Sequence, residues 1–242
     1  GPKKDHLSCD LVAAAEGGQM YVSGLPSGVP LKAFGEQTFQ TASLFAAVGT
    51  LLALRRRSQT GRGRHIDISL QEAAAATLDH VLVRHLNEGI LPKRQGTLHW
   101  NQEFQCLPCR DGHLLVSLSR QWETLVEWMD REGMAEDLSE ERWRNRAFRI
   151  GQSEHVIGVI GRWMEKHNAG ELFELGQLMQ FPWAPLCRLK DVLENEQHRF
   201  REFFTTIDQP IPGGSPGFPR LPWKTQASRR EILRGAPGAG QD

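Results

Sequence analysis

The run Gln37–Leu54 limits the possible folds more than any other feature: it carries no charged side chain, and it stops at Arg55, Arg56 and Arg57. Such a run can lie in a membrane, in an arm that meets nucleic acid through the arginines, or inside a globular domain. Gln37, Thr38, Gln40, Thr41, Ser43 and Thr50 interrupt it, so it reads as too short and too polar for a span of about 20 apolar residues. The reading is a buried helix, apolar around most of its circumference from Leu44 to Leu54. The arginines then occupy its last turn, where the helix dipole favours cations, and Gly61 and Gly63 end it.

Composition narrows the function classes. Lys+Arg 29 against Asp+Glu 29 gives formal net charge +0, unlike a dedicated nucleic-acid binder. The 242 residues suffice for one large domain or two modest ones, and 39% hydrophobic content fits an ordinary soluble protein. GPKKDHLSCD has no apolar stretch behind its lysines, so no secretory leader is read there. Cys9, Cys106, Cys109 and Cys187 are few and unevenly spaced, which points to reduced thiols and a cytoplasmic setting. One CxxC (Cys106, Cys109) without a second pair is a weak metal signal, and the nine histidines show no HExxH-type spacing, so no metal is expected.

After Gly63, "HIDISL" (65–70) alternates as a half-buried strand would, and Ser69 with Glu72 resembles a capping box for a helix over 70–88. Residues 91–110 are rich in Pro, Gly and polar side chains and read as a linker entering an extended segment. "HLLVSLS" (113–119) reads as a strand. Apolar residues at three- and four-residue spacing predict helices over 120–132, 138–148, 153–167 and 169–180. Phe181-Pro182 stops the last, "WAPLCRL" reads as a short strand, and 189–204 as another helix. The Pro- and Gly-rich tail reads as an extended connection. The seven tryptophans are expected to pack the domain formed by 111–190, with Trp183 singled out.

Taken in order, "GPKKDHLSCDLVAAAEGGQMYVSG", "FAAVGTLLALRRRSQTGRGRHIDISLQEA", "CRDGHLLVSL", "FPWAPL", "EQHRFREFF" and "RGAPGAGQD" resemble the motifs of the family III CoA-transferases, the carnitine/formyl-CoA transferase and acyl-CoA racemase group. The resemblance implies transfer of CoA between an acyl-CoA thioester and a free carboxylic acid. In that chemistry an enzyme carboxylate attacks the thioester, and the resulting mixed anhydride is attacked by the CoA thiolate. It also implies no permanently bound cofactor, CoA and acyl-CoA being substrates. The residues that grip CoA would lie mostly in an N-terminal portion of the family pattern that precedes the first motif here. FPWAPL belongs, in the family, to a loop facing the substrate, hence the interest in Trp183.

The chain departs from the family at the nucleophile. The aspartate expected before the apolar helix would fall at Phe39, or at Thr38 in the racemase spacing. Glu36, three residues earlier, is the nearest carboxylate: a surrogate nucleophile with longer reach, or a capping or surface glutamate. Asp10 matches an acidic position near the family's active site, where it would orient a substrate or simply close a turn. A racemase would need a His/Asp pair near Ser8–Cys9 and Thr38, and His6 is out of register. The glycine-run loop of the transferases is replaced by "GTLHWNQ".

The expected fold is therefore α/β. Residues 1–90 would form part of a Rossmann-like large domain and 91–110 a linker. Residues 111–190 would make a small α+β domain, and 191–242 a helix and extended return to the large domain. By resemblance, extended linkers would thread two subunits into an intertwined dimer, a homodimer or a heterodimer with a related chain. A non-catalytic family member or partner subunit that has lost the aspartate is the alternative function. An RNA-binding role for "RRRSQTGRGR" has nothing else behind it.

Overall fold

The computed structural model describes residues 2–118, 120–207, 217–224, 237 and 240. Most of the return segment, including nearly all of "RGAPGAGQD", lies outside them.

The N-terminal part is helical: α1 (Asp10–Glu16), α2 (Gln19–Val22), α3 (Gln37–Thr60), α4 (Leu70–Ala76) and α5 (Asp79–Glu88). The apolar run does form a helix, and Gly61 ends it in the left-handed region at φ 69°, its N–H donating to the Arg57 carbonyl. Burial is corrected. Only Thr38 and Ala42 are buried, while Leu44 is 69% and Leu51 66% exposed. The cause is length. The packing partners of α3 are α1 and α4, seven residues each, about 10 Å of helix against about 36 Å. The expectation that the run is too short for a membrane is corrected too. The 24-residue helix, with mean hydropathy 1.2 over its best window, is long and apolar enough to cross one by length and composition alone.

Residues 65–69 of "HIDISL" form no strand among the described residues and Leu70 already begins α4, so the predicted strand does not form. Ile66 instead lies over Gly49 of α3, where a Cβ would meet its Cγ2 at 3.5 Å. Ser69 does cap α4, accepting from the Glu72 N–H at 3.2 Å. The predicted 70–88 helix is broken after Ala76. The N–H groups of Thr77 and Leu78 turn back to the carbonyls of Ala74 and Ala75, tightening the end, and Leu78 buries its side chain.

Residues 104–185 form a second packed unit. β1 (Phe104–Cys109) and β2 (Gly112–Ser117) make an antiparallel hairpin, and β3 (Ala184–Pro185) pairs antiparallel with β2. β1 thus begins inside the span read as linker. Helices α6 (Trp122–Arg131), α7 (Arg146–Gly151), α8 (Ser153–Met164) and α9 (Ala169–Leu178) cover the sheet. The predicted helix over 138–148 is instead two 3-10 turns, Glu136–Ser139 and Glu141–Arg144, followed by α7, whose N-cap Asn145 accepts from the Phe148 N–H. The core joins Leu114 and Val116 of β2 to Leu125, Met129, Ile160 and Trp163. Glu132 satisfies two indoles at once, accepting from Trp128 Nε1 at 2.9 Å and Trp163 Nε1 at 2.7 Å.

The predicted 189–204 helix is split into α10 (Leu189–Glu194) and α11 (Glu196–Phe200), because Asn195 is extended and caps α11 through the His198 N–H. β4 (Phe204–Thr206) and β5 (Gly217–Pro219) form a second, two-stranded antiparallel sheet. The described residues are thus a mixed helix and sheet structure with small antiparallel sheets; a Rossmann-like parallel sheet is not among them.

Gly17 sets how closely α1 approaches α4. A Cβ at position 17 would lie 2.4 Å from the Ala74 Cβ and 2.9 Å from the Ala13 carbonyl oxygen, so neither backbone nor methyl could yield without α1 moving. Gly17→Ala should therefore lower stability by about 1–3 kcal/mol, checked by urea denaturation.

Candidate functional site

Asp10 is the first residue of α1, and its carboxyl is 3% exposed. It is aimed at the start of α3. Oδ1 accepts the Phe39 N–H at 3.0 Å, and Lys32 Nζ stands 2.9 Å from Oδ2. Oδ2 has no other donor among the described residues. Lys32 also donates to the carbonyls of Gly35 and Ala33, which folds the loop leading into α3, and Gly35 enters that turn at φ 75°. Burial pushes the Asp10 carboxyl up. The hydrogen-bonding Lys32 ammonium and the Phe39 N–H, with the Lys32 charge and the Thr38 N–H added, outweigh burial and hold it below its ordinary value of 3.8. A negative charge at a helix N-terminus is where the dipole favours it.

Asp10 closes no turn of its own among the described residues and instead caps the start of α3, 29 residues away in sequence. Glu36 stands at the α3 N-cap position without making a side-chain capping bond, and its side chain faces solvent. Phe39 is 40% exposed. A phenyl ring at this position neither attacks a carbonyl nor moves a proton. Sequence reasoning missed Lys32; Thr38, named there as the racemase position, has a fully buried hydroxyl 3.5 Å from Gln19 Oε1. No spacing marks Lys32, because its partner lies in another helix.

Two clefts with shared wall residues lie here, the first beside this helix start. The first, of about 580 Å³, is lined by Lys32, Phe34, Gln37 and Gln19. The second, of about 970 Å³, runs between α5 and residues 90–104, past Arg84, Lys93, His99 and Trp100. Val22, His80 and Val81 line both. The packing expected of the tryptophans is corrected at Trp223, which is 58% exposed, and at Trp100. Trp100 is 41% exposed in the second cleft and not in the small-domain core, because the 96–103 loop carries it towards α5. Trp183 is 2% exposed and stacked on Phe181 at 4.6 Å inside the core, as expected of a tryptophan that packs the small domain. Cys106 and Cys109 are free thiols; burial first, then the charges of Asp111 and Cys106, pushes Cys109 up to about 11, so it is an unreactive thiol at neutral pH. No group of His, Cys, Asp or Glu among the described residues is arranged to hold a metal ion.

The Asp10 clamp makes a testable claim about pH. Its pKa is depressed on folding, so its contribution is fully present above pH 3.8 and is lost as pH falls below that value through the folded pKa. Asp10→Ala should lower stability at pH 7 by about 1–2 kcal/mol, as loss of a helix cap does. The difference between variant and parent in urea denaturation should shrink towards the acid end.

Comparison with known proteins gives these features a family. The model of CoA-transferase family III matches residues 1–242. Subunit BbsE of succinyl-CoA:(R)-benzylsuccinate CoA-transferase from Thauera aromatica is 27% identical over 256 residues, covering 100% of this chain and 60% of the relative. Succinyl-CoA:mesaconate CoA-transferase from Haloarcula hispanica is 28% identical over 206 residues, covering 84% of this chain and 50% of the relative. The fold matches the crystal structure of a CAIB/BAIF family protein from Brucella suis with TM-score 0.85 at 20% identity, over 98% of this chain and 61% of that one. The chain therefore spans half to three-fifths of the length of these relatives. With the family pattern running through all of its motifs, this chain belongs to CoA-transferase family III.

Proposed function

We propose that this chain serves the transfer of CoA between an acyl-CoA thioester and a free carboxylic acid. The observation that carries the reading is the start of α3. The helix N-terminus that the family uses for its nucleophile opens on a cleft lined by Lys32 and Gln37, and α1 holds it in place through Asp10. The Lys32 ammonium and the Phe39 N–H are already met by Asp10, so the start of α3 offers a substrate a polar wall rather than an uncommitted cation. BbsE, by its name, acts on succinyl-CoA and (R)-benzylsuccinate, which makes these two compounds the first pair to assay.

Phe39 favours a second reading, a partner subunit that keeps the scaffold without the nucleophile. Asp10 is a poor replacement, since its carboxylate is buried, ion-paired and committed to a helix cap. Glu36 is exposed and free of that commitment, so it is the surrogate to test. A partner is also in keeping with the apolar side of α3, where Leu44, Val48, Leu51 and Leu52 stand more than half exposed, as interface residues do. The partner we propose is a second copy or a related chain.

Intact-mass spectrometry after incubation with succinyl-CoA, with hydroxylamine trapping, tests the nucleophile. The expected result is no covalent adduct on the natural sequence. An adduct abolished by Glu36→Gln would establish the surrogate; one that survives it would point to Asp10. Phe39→Asp should fold, because the ring is 40% exposed, and it should create an adduct only where the rest of the site is complete. Light scattering at micromolar concentration tests the assembly: a monomer, with no association on adding a related chain, would overturn it.

A further inference from the structure

The larger cleft contains a wall of rings that neither the nucleophile position nor the family assignment explains. Trp100 is 41% exposed, yet it is not loose. The His80 ring stacks on it at 5.0 Å and 20°, and the His99 ring lies against it at 5.4 Å and 44°. Each histidine is fixed in turn, His80 Nδ1 lying 2.8 Å from Asp79 Oδ1 and His99 Nδ1 2.7 Å from Asn101 Oδ1. Phe104 extends the row, edge-on to His99 at 5.9 Å. The loop that carries Trp100 is closed on itself by His99 N–H to the Phe104 carbonyl at 2.9 Å and Gln102 N–H to the His99 carbonyl at 2.7 Å. Gln102 sits at φ 58°, a left-handed conformation that a residue with a side chain adopts at a cost and that recurs at ligand clamps.

An exposed indole held rigid by two histidines is a pre-organised face for another flat ring, since little side-chain freedom remains to be lost on binding. The rest of the cleft adds apolar surface from Val22, Val81, Ile90 and Leu91, and cations from Lys93 and from Arg84, which is also paired with Glu88. Val22, His80 and Val81 also line the smaller cleft beside Lys32 and the start of α3. We infer that Trp100 and His80 form the wall of a subsite for the aromatic ring of an aryl-bearing carboxylic acid, whose carboxylate end points past Val22 and Val81 towards the α3 N-terminus. The inference deepens the CoA-transferase reading and rests on it, naming the acid as aromatic. An aliphatic acid would leave the ring wall wet and unused. The flat ring of adenine is the competing occupant.

The test uses the full chain and three probes in saturation-transfer NMR titrations: 3-phenylpropionate, succinate and adenosine 3′,5′-bisphosphate. The phenyl protons should saturate, and 3-phenylpropionate should bind more tightly than succinate. Trp100→Leu, which keeps apolar bulk without the ring and disturbs the loop little, should weaken the aryl acid about three- to tenfold and leave succinate unchanged. Trp100→Phe should restore most of the affinity. Equal binding of both acids, no effect of Trp100→Leu, or displacement of phenylpropionate by adenosine bisphosphate would each overturn the inference. None of these readouts needs turnover. A chain that binds the aryl acid through Trp100 but supports no CoA transfer even with a related chain supplied sinks the transferase reading alone, whereas a chain that supports CoA transfer yet fails the titration sinks the subsite alone.

Discussion

The arrangement of the N-terminal half depends on one buried carboxylate. Asp10 takes the Phe39 N–H on one oxygen and faces the Lys32 ammonium with the other, so three separate pieces of chain meet at a single side chain. Lys32 holds the carbonyls of the loop before α3, and Asp10 starts α1, which Gly17 allows to lie directly against α4. An unpaired carboxylate buried at this site would carry a large desolvation cost, so the ion pair and the cap stand or fall together. The same contact explains why position 39 has a defined place even though its side chain has no catalytic chemistry.

What the clamp holds at one end, the chain leaves uncovered along the rest. Helix α3 is anchored through Thr38 and Ala42 and then runs past α1 and α4 with its leucines in solvent. Two helices of seven residues cannot cover one of 24. A helix that is apolar around most of its circumference asks for neighbours on several sides, and the described residues supply them on one. The relatives that match are longer than this chain, which spans half to three-fifths of them.

The aromatic residues divide the molecule by role. Trp122, Trp143, Trp163 and Trp183 are buried in the small unit, and Glu132 anchors the indole N–H groups of Trp128 and Trp163. Trp100 belongs to neither of these groups. Its ring is held by histidines at the mouth of a cleft and stays 41% exposed there.

Much was legible along the chain. The apolar run foretold α3, Gly61 its end, Ser69 the cap of α4, and the three- and four-residue spacing of apolar residues foretold α6, α8 and α9. The motif order foretold the family. These features are local, set by periodicity, capping and turn chemistry within a few residues. What the tertiary structure decided was everything that needs a distant neighbour. "HIDISL" has the alternation of a strand but forms none among the described residues. Trp100, expected in the small-domain core, lines a cleft instead, because burial depends on which side chains arrive from elsewhere. Asp10 looked like a turn residue or a substrate-orienting acid, and became the cap of α3 because Lys32 and Phe39, 22 and 29 positions away, fold onto it. Sequence by itself determined the local elements and the family; the use of each charged or aromatic side chain was decided by through-space contacts that no local pattern encodes.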